Sequence, residues 1–367
     1  MYCMIYVMSD IKKIENIIKS EPILRIIHFK GKTKNSTILI GESINNILKY
    51  TEKKKIFIIT DINVNRIYKN YFPSGYVFVI GIGEKIKNYE TVNSIYNELL
   101  INGFDKTSFI LGIGGGIVCD IAGFVASTYM RGVKFGLVPT TLLAQVDASI
   151  GGKNGINFRE YKNMVGIFNQ PDFILTDFNT LKTLKADEFK NGIAEIIKHA
   201  LIGDFRLIDV LINYHEKIIN KDISILEKII SRSVEIKLEI VKKDEIETEE
   251  RKKLNFGHTV GHAIELCEGI SHGGSVAIGM AIASGISLKY GFIENDLYSK
   301  IIKLLKLYKL PLNTKISVSK LIEKIGKDKK MNNGKIDFIL IKSLGDVFIH
   351  EMSLKELEVL LNDLCQP

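Results

Sequence analysis

An apolar strand that runs without interruption into a glycine cluster constrains this chain more than any other stretch. Phe109-Ile110-Leu111 leads straight into Gly112-Ile113-Gly114-Gly115-Gly116. A continuous apolar run suits a strand covered on both faces, as in a parallel sheet. A glycine-rich turn at the carboxyl end of such a strand is where α/β sheets bind phosphates, against the next helix N-terminus. Ile56-Phe57-Ile58-Ile59-Thr60-Asp61 and Val77-Phe78-Val79-Ile80-Gly81 also read as buried parallel strands. A further strand is expected at 36–40, with helices at 44–50 and 89–101, and this alternation predicts a parallel α/β sheet. The dinucleotide fingerprint G-x-G-x-x-G is broken, because Ile117 stands at its last glycine. The acidic partner expected about twenty residues further on is also absent. The run still offers backbone amides that a pyrophosphate can approach closely. A tight turn packing helix on strand accounts for the same glycines.

After Pro139 and Pro171 no proline occurs until Pro311, and helical periodicity dominates between them, at 204–219, 223–243 and 276–290. With 367 residues the chain has room for two cores. An α/β domain at 1–180 and a mostly helical domain at 181–367 are expected. The stretch 107–130 carries one charge, Asp120, over a length that would span a bilayer, but its glycines fit a buried strand-turn-helix better. The first eight residues are apolar yet lack a basic leader and a cleavage site, so no signal peptide is read there. Cys3, Cys119, Cys267 and Cys365 are widely separated, which suits reduced thiols in a cytoplasmic protein. The formal charge of +8 comes from lysines spread along the chain without interleaved aromatics. That spread argues against nucleic acid as a partner and leaves a small anionic substrate open.

Three of the seven histidines cluster in Asn255-Phe256-Gly257-His258-Thr259-Val260-Gly261-His262-Ala263-Ile264-Glu265 and Ser271-His272-Gly273-Gly274. Imidazole is the commonest transition-metal ligand, and His258 and His262, four apart, share a helix face. His272 follows a non-helical break at Glu268-Gly269. Capped or core histidines would satisfy the same spacing. Glu195 and Lys198 lie one turn apart in an otherwise apolar helix, where a buried carboxylate needs a cation or a metal; a salt bridge with Lys198 alone would meet that need. Glu195, His258 and His272 together could form a His₂Glu site, the ligand set of a catalytic zinc with an open position. Thr259 follows His258, so HExxH peptidase chemistry is excluded. Lys153, in the glycine-rich run from Asp147 to Gly155, and Lys162-Asn163 are compatible with phosphate, and equally with solvated loops. Lys327-Asp328-Lys329-Lys330 alone reads as a charged surface.

Taken in order, these clusters resemble the 3-dehydroquinate synthase family across nearly the whole chain, least before residue 50 and after 345. The resemblance rests on Gly114-Gly115-Gly116 through Arg131-Gly132, Pro139-Thr140-Thr141 through Asp147, and Gly151-Gly152-Lys153. It continues through Lys162-Asn163, 192–198, 255–265 and Asp328-Lys329-Lys330. It implies a Rossmann-like NAD-binding domain, a helical metal and substrate domain, and a homodimer. Glu195, His258 and His272 would bind a divalent metal, zinc or else cobalt. NAD would lie against Asp61, Glu84, Lys87, Gly115, Gly116, Asp120, Thr140, Thr141, Lys153, Lys162 and the stretch Thr180, Leu181, Lys182 and Thr183. Asp147, Lys153, Lys198, Lys237, Arg251, Asn255 and His262 would act on the substrate. Asn163, one of Lys329 or Lys330, and Arg131 from a neighbouring subunit would help bind it. Cys119, Ile82, Asn154 and Gly274 depart from the residues usual in the family, as do Glu249-Glu250.

The implied reaction converts 3-deoxy-D-arabino-heptulosonate 7-phosphate to 3-dehydroquinate and phosphate, the second step of the shikimate pathway. It runs through transient oxidation at C5, phosphate elimination, re-reduction, ring opening and aldol closure. Three rivals are another sugar-phosphate cyclase, an NAD- and metal-dependent polyol dehydrogenase of related fold, and a non-catalytic remnant that only binds nucleotide.

Overall fold

The computed structural model describes residues 24–364 except 33, 52–53, 160, 328–330 and 333. The expectations placed on residues 1–8, Cys3, Cys365, Lys329 and Lys330 lie outside the described residues. Strands β1 (Arg25–Phe29), β2 (Ser36–Ile40), β3 (Ile56–Asp61), β4 (Tyr76–Ile80), β5 (Phe109–Gly114) and β6 (Lys134–Pro139) join one sheet with β9 (Phe173–Thr176). β7 (Lys153–Phe158) and β8 (Tyr161–Phe168) form a separate hairpin. The seven strands run in the order β1-β2-β9-β6-β5-β3-β4, and only the β1–β2 pairing is antiparallel. From β3 the chain moves to β4 on one side and returns to β5 on the other. The crevice beyond the carboxyl ends of β3 and β5 is therefore the switch point where such sheets bind ligands.

Alternation along β3 and β5 supplies both faces of the sheet. Phe57, Ile59 and Ile110 pack on one side, with Val118, Ile121 and Val125 of helix α3. Ile56, Ile58, Phe109, Leu111 and Ile113 pack on the other. Helices α1 (Ile62–Tyr68), α2 (Tyr89–Ile101) and α3 (Gly116–Thr128) connect the strands. The apolar stretch 107–130 is thus a buried strand, turn and helix, and among the described residues no helix is long and apolar enough to cross a membrane. One strand differs from its expectation. β4 pairs in parallel but lies at the sheet edge, leaving Val77 and Val79 38% and 39% exposed. Its apolar run reflects the strand preference of branched side chains, without burial on both faces.

Beyond β9 the fold is helical: α4 (Ala186–Gly203), α5 (Phe205–Asn213), α6 (His215–Ile219), α7 (Ile223–Lys243), α8 (His258–Glu268), α9 (His272–Lys289), α10 (Asn295–Leu307), α11 (Val318–Lys327) and α12 (Leu354–Leu364). The single helix expected at 204–219 is two helices, because Tyr214 leaves helical geometry at φ −114° and ψ 20°. A three-stranded antiparallel sheet, β10 (Met331–Asn332), β11 (Lys335–Ser343) and β12 (Asp346–Ser353), was not anticipated. Its Ile336, Phe338 and Leu340 join the helical core.

Candidate active site

Three helices meet where the histidines lie, and glycine lets them approach. Gly257, in left-handed backbone at φ +79°, turns the chain into α8, so His258 opens that helix. Gly269, at φ +64°, closes it. Ser271 caps α9 by accepting from the Gly274 amide at 3.3 Å, so His272 opens the next helix. A Cβ on Gly279 of α9 would come within 1.8 Å of the Gly257 carbonyl, and one on Gly273 within 2.4 Å of Asn191 Cα in α4. The Gly273 amide also donates to Asn191 Oδ1 at 3.0 Å, which ties α9 to α4.

This crossing brings Glu195, His258 and His272 together, with ligand atoms all within 4.8 Å of one another. His258 Nε2 and His272 Nε2 lie 3.4 and 3.2 Å from the same Glu195 oxygen, Oε1. Zinc bonds of about 2.0–2.1 Å at tetrahedral angles require ligand separations of about 3.3 Å. Both imidazoles turn Nδ1 outward, His258 to the Phe256 carbonyl and His272 to Glu265 Oε2, each at 3.3 Å. Such outer partners fix the tautomer that presents Nε2 to a metal. The donor set fits a divalent metal with an open position. His262 stands beside it, its ring 5.2 Å from His258 and 6.3 Å from His272, but does not join the converging set.

Glu195 is fully buried and pairs with Lys198 on the same helix. Burial opposes its ionisation, but Lys198 and then His258 outweigh this and hold the carboxyl well below its usual range. Beyond Lys198 lies Asp147, whose carboxylate and carbonyl accept from Lys237 Nζ at 2.6 and 2.7 Å. Burial again opposes ionisation there, and Lys237 and Lys198 overcome it. His199, which sequence reading passed over, is also buried in this cluster. Its Nδ1 is 2.7 Å from Ser233 Oγ and its Nε2 is 3.7 Å from Asp147 Oδ1. Nothing in the sequence separates His199 from its apolar helical neighbours.

Farther along the wall, Lys153 pairs with Glu247, which also accepts from Asn255 Nδ2 at 3.0 Å. Glu247 is therefore a second residue that sequence reading missed. Arg251 is buried, with its guanidinium donating to the carbonyls of Gly151 and Glu245. It braces the Gly151 turn, where the backbone is left-handed at φ +95°.

On the cofactor side, the glycines divide by task. A Cβ on Gly112 would meet Ala122 at 2.7 Å and one on Gly114 would meet Val118 at 2.5 Å, so these two serve helix-on-strand packing. Gly115 and Gly116 are half-buried at the start of α3, where unpaired amides favour an anion. Buried Lys87 contacts Asp120 and Asn163, and Asn157 donates to Glu84 at 2.8 Å. Asp61 caps α1 by accepting from the amides of Asn63 and Val64. Thr141 Oγ1 accepts from the Ala144 amide at 3.1 Å, while Thr140 is buried. Tyr68 of α1 is 2.6 Å from Thr183 Oγ1, which brings 180–183 beside the far end of α1. Thr180 and Leu181 are buried within that stretch, and Lys182 is exposed. A helix N-terminus at the switch point, open amides and flanking charges fit a dinucleotide.

Lys162 and Asn163 reach different ways, because Asn163 sits in left-handed backbone at φ +51° where the hairpin register is irregular. Asn163 meets Lys87 on the glycine-turn side, and Lys162 donates to Glu265 of α8 at 2.7 Å. Arg131, exposed at φ +61°, lies apart from both groups, past the far end of α3.

Two family descriptions match the chain in tandem, 3-dehydroquinate synthase N-terminal at residues 77–191 and 3-dehydroquinate synthase C-terminal at 192–331. The 3-dehydroquinate synthase of Thermodesulfovibrio yellowstonii is 41% identical over 339 residues, covering 89% of this chain and 94% of that protein. The structure of ValA, the 2-epi-5-epi-valiolone synthase of Streptomyces hygroscopicus with NAD+ and Zn2+ bound, has a TM-score of 0.82 at 25% identity. It covers 93% of this chain and 99% of that one. A 2-deoxy-scyllo-inosose synthase complexed with carbaglucose-6-phosphate, NAD+ and Co2+ shares the fold, with a TM-score of 0.78 at 22% identity. That match covers 93% of this chain and all of the other.

Proposed function

Because the chain belongs to the 3-dehydroquinate synthase family, we propose that the cleft between the glycine turn and the histidine helices carries out that family's reaction. The substrate is 3-deoxy-D-arabino-heptulosonate 7-phosphate and the products are 3-dehydroquinate and phosphate. The observation that carries this reading is the convergence of Glu195, His258 and His272 beside the charged cluster of Lys198, Asp147 and Lys237. NAD, when bound, supplies a reversible hydride acceptor, and a divalent metal lowers the pKa of a bound hydroxyl.

The chain's own residues do the remainder. Glu195, His258 and His272 hold the metal. Asp147, kept ionised by Lys237 and Lys198, and Lys198 itself position a substrate hydroxyl and carry proton traffic beside the metal. Lys153, Asn163, Asn255, His262, Arg251 and one of Lys329 or Lys330 bind the carboxylate and phosphate, so elimination proceeds with the leaving group held in place. Glu247 occupies Lys153 and Asn255 in the absence of substrate, and an incoming anion takes its place. Asp61, Glu84, Lys87, Gly115, Gly116, Asp120, Thr140, Thr141, Lys153, Lys162 and Thr180 to Thr183 form the cofactor wall. The working unit is a homodimer in which Arg131 serves the neighbouring site. Residues 1–180 form the cofactor domain and 181–367 the metal and substrate domain. Free thiols at Cys119 and Cys267 agree with a cytoplasmic setting.

The decisive experiment supplies the NAD- and zinc-loaded protein with heptulosonate 7-phosphate, and separately with sugar phosphates lacking the C1 carboxylate. Phosphate release from the first alone, with no growth of NADH absorbance, is expected. Release only without the carboxylate would make the protein a different cyclase. Steady NADH production would make it a polyol dehydrogenase.

A further inference from the structure

The hairpin residue Lys162 makes a contact that the reaction as described does not use. Its ammonium lies 2.7 Å from Glu265 Oε1, the other oxygen of that carboxylate lies 3.3 Å from His272 Nδ1, and His272 Nε2 lies 3.2 Å from Glu195 Oε1. These contacts form one unbroken chain from the tip of β8 to the metal ligands. Glu265 sits seven residues after His258 and three after His262, so all three project from the same face of α8. Its side chain is 15% exposed and that of Lys162 33%, so the pair is partly withdrawn from water. Asn163, the next residue, reaches a different way, to Lys87 beside the glycine turn. The hairpin is thus wedged between the two walls of the cleft.

We propose that Lys162 is a positioning residue of the metal centre, which holds Glu265 in the orientation that fixes His272. The proposal rests on Glu195, His258 and His272 as the metal ligands. With one carboxylate oxygen engaged by Lys162, the other is directed at Nδ1, and the imidazole presents Nε2 to the metal. Without Lys162 the Glu265 side chain regains rotamers that leave His272 unsupported. An outer partner of a metal-bound histidine is worth about 10–100-fold in metal affinity. A residue one step further out is expected to contribute several-fold.

The test is zinc titration, in chelator-buffered zinc, of full-length protein freed of NAD and substrate. Glu265→Gln is expected to weaken zinc binding by about tenfold or more, and Lys162→Met by several-fold. The double variant should be no weaker than Glu265→Gln alone, because the two residues act in series, and Lys162→Arg should recover most of the loss. The cobalt-loaded protein gives a second readout, with Lys162→Met and Glu265→Gln both expected to shift the visible absorption band. Unchanged zinc affinity and cobalt spectrum in Lys162→Met would overturn the proposal, as would losses that simply multiply in the double variant. Glu195→Ala is run alongside: if it binds zinc normally, the ligand assignment itself has failed, which is a separate result.

Discussion

Asp204 shows how one carboxylate secures the helix that carries Glu195. Its amide closes α4 on the Ala200 carbonyl, and its side chain caps α5 through the Arg206 amide at 3.0 Å. The same carboxylate accepts from Arg206 Nε at 3.0 Å and from Arg232 Nε of α7 at 2.7 Å. Burial would raise its pKa, but Arg206 and Arg232 outweigh that and bring it down to about 2. A pKa lower in the folded state than in the unfolded chain gives stability that is complete above the unfolded value of about 3.9. That stability is lost as pH falls through about 2. Asp204→Asn keeps a capping side chain and loses the charge, so it is expected to cost about 2 kcal/mol at neutral pH. Urea melts of both proteins at pH 7 and near pH 2 check this, and the gap should close at the acid end. A gap independent of pH would assign the cost to packing.

Charge at single positions was only partly legible in the sequence. Glu195 stood out because a carboxylate in an apolar helix needs a counter-charge or a metal. Glu265 carried a readable signal, its position on the same helical face as His258 and His262. His199 and Glu247 carried none, since their partners, Ser233, Asp147, Lys153 and Asn255, come together only through tertiary folding.

At the scale of elements, the site depends on how closely α8 and α9 cross. Gly279→Ala puts a methyl group where the Gly257 carbonyl lies, so the helices must separate. Overpacking of that kind costs about 3 kcal/mol, and the separation also moves His258 away from His272. Both the melting temperature and zinc content should therefore fall. Gly291→Ala, just past the end of α9, is the comparison: it meets nothing within 4 Å but has a φ of +71°. It should cost about 1 kcal/mol in backbone strain and leave zinc content unchanged. Normal zinc in Gly279→Ala would show that the crossing does not set the ligand geometry.

Regular elements were legible where one period dominated. The expectations at 36–40, 89–101 and 223–243 coincide with β2, α2 and α7. The terminal sheet escaped notice although Gly345, at φ +85° between β11 and β12, is an ordinary hairpin signal. Its strands mix core residues with partly exposed Asp337 and His350, so neither a helical nor a clean alternating period stood out. Spacing alone set His258 and His262 side by side as metal ligands. The wider sequence reading already puts His272 with Glu195 and His258, and the packing of α9 on α4 and α8 is what brings those three side chains together.

At the scale of the whole molecule, Arg131 tests whether one chain completes a site. Helix α3 starts at the glycine turn with Gly116 and ends at Thr128, and its 13 residues span about 20 Å. Arg131 follows that far end, beyond the reach of an arginine side chain back to the turn. The backbone at Met130 and Arg131 is left-handed, φ 49° and 61°, and Lys106 donates to the Met130 carbonyl at 3.0 Å. The side chain is thereby presented at the surface. In the proposed homodimer Arg131 would serve the other subunit's cleft. Arg131→Ala and Glu195→Ala should each be nearly inactive as pure proteins. Mixed and reassociated, they should regain activity, because one cleft of each mixed dimer then has an intact metal site and an intact arginine from across the interface. Random reassortment makes about half of the dimers mixed, so about a quarter of all sites should work. If Arg131 acted within its own chain, no mixed dimer could contain a complete site. Mixtures of the two variants that stay inactive, although subunit exchange is demonstrated, would place Arg131 outside the partner's cleft.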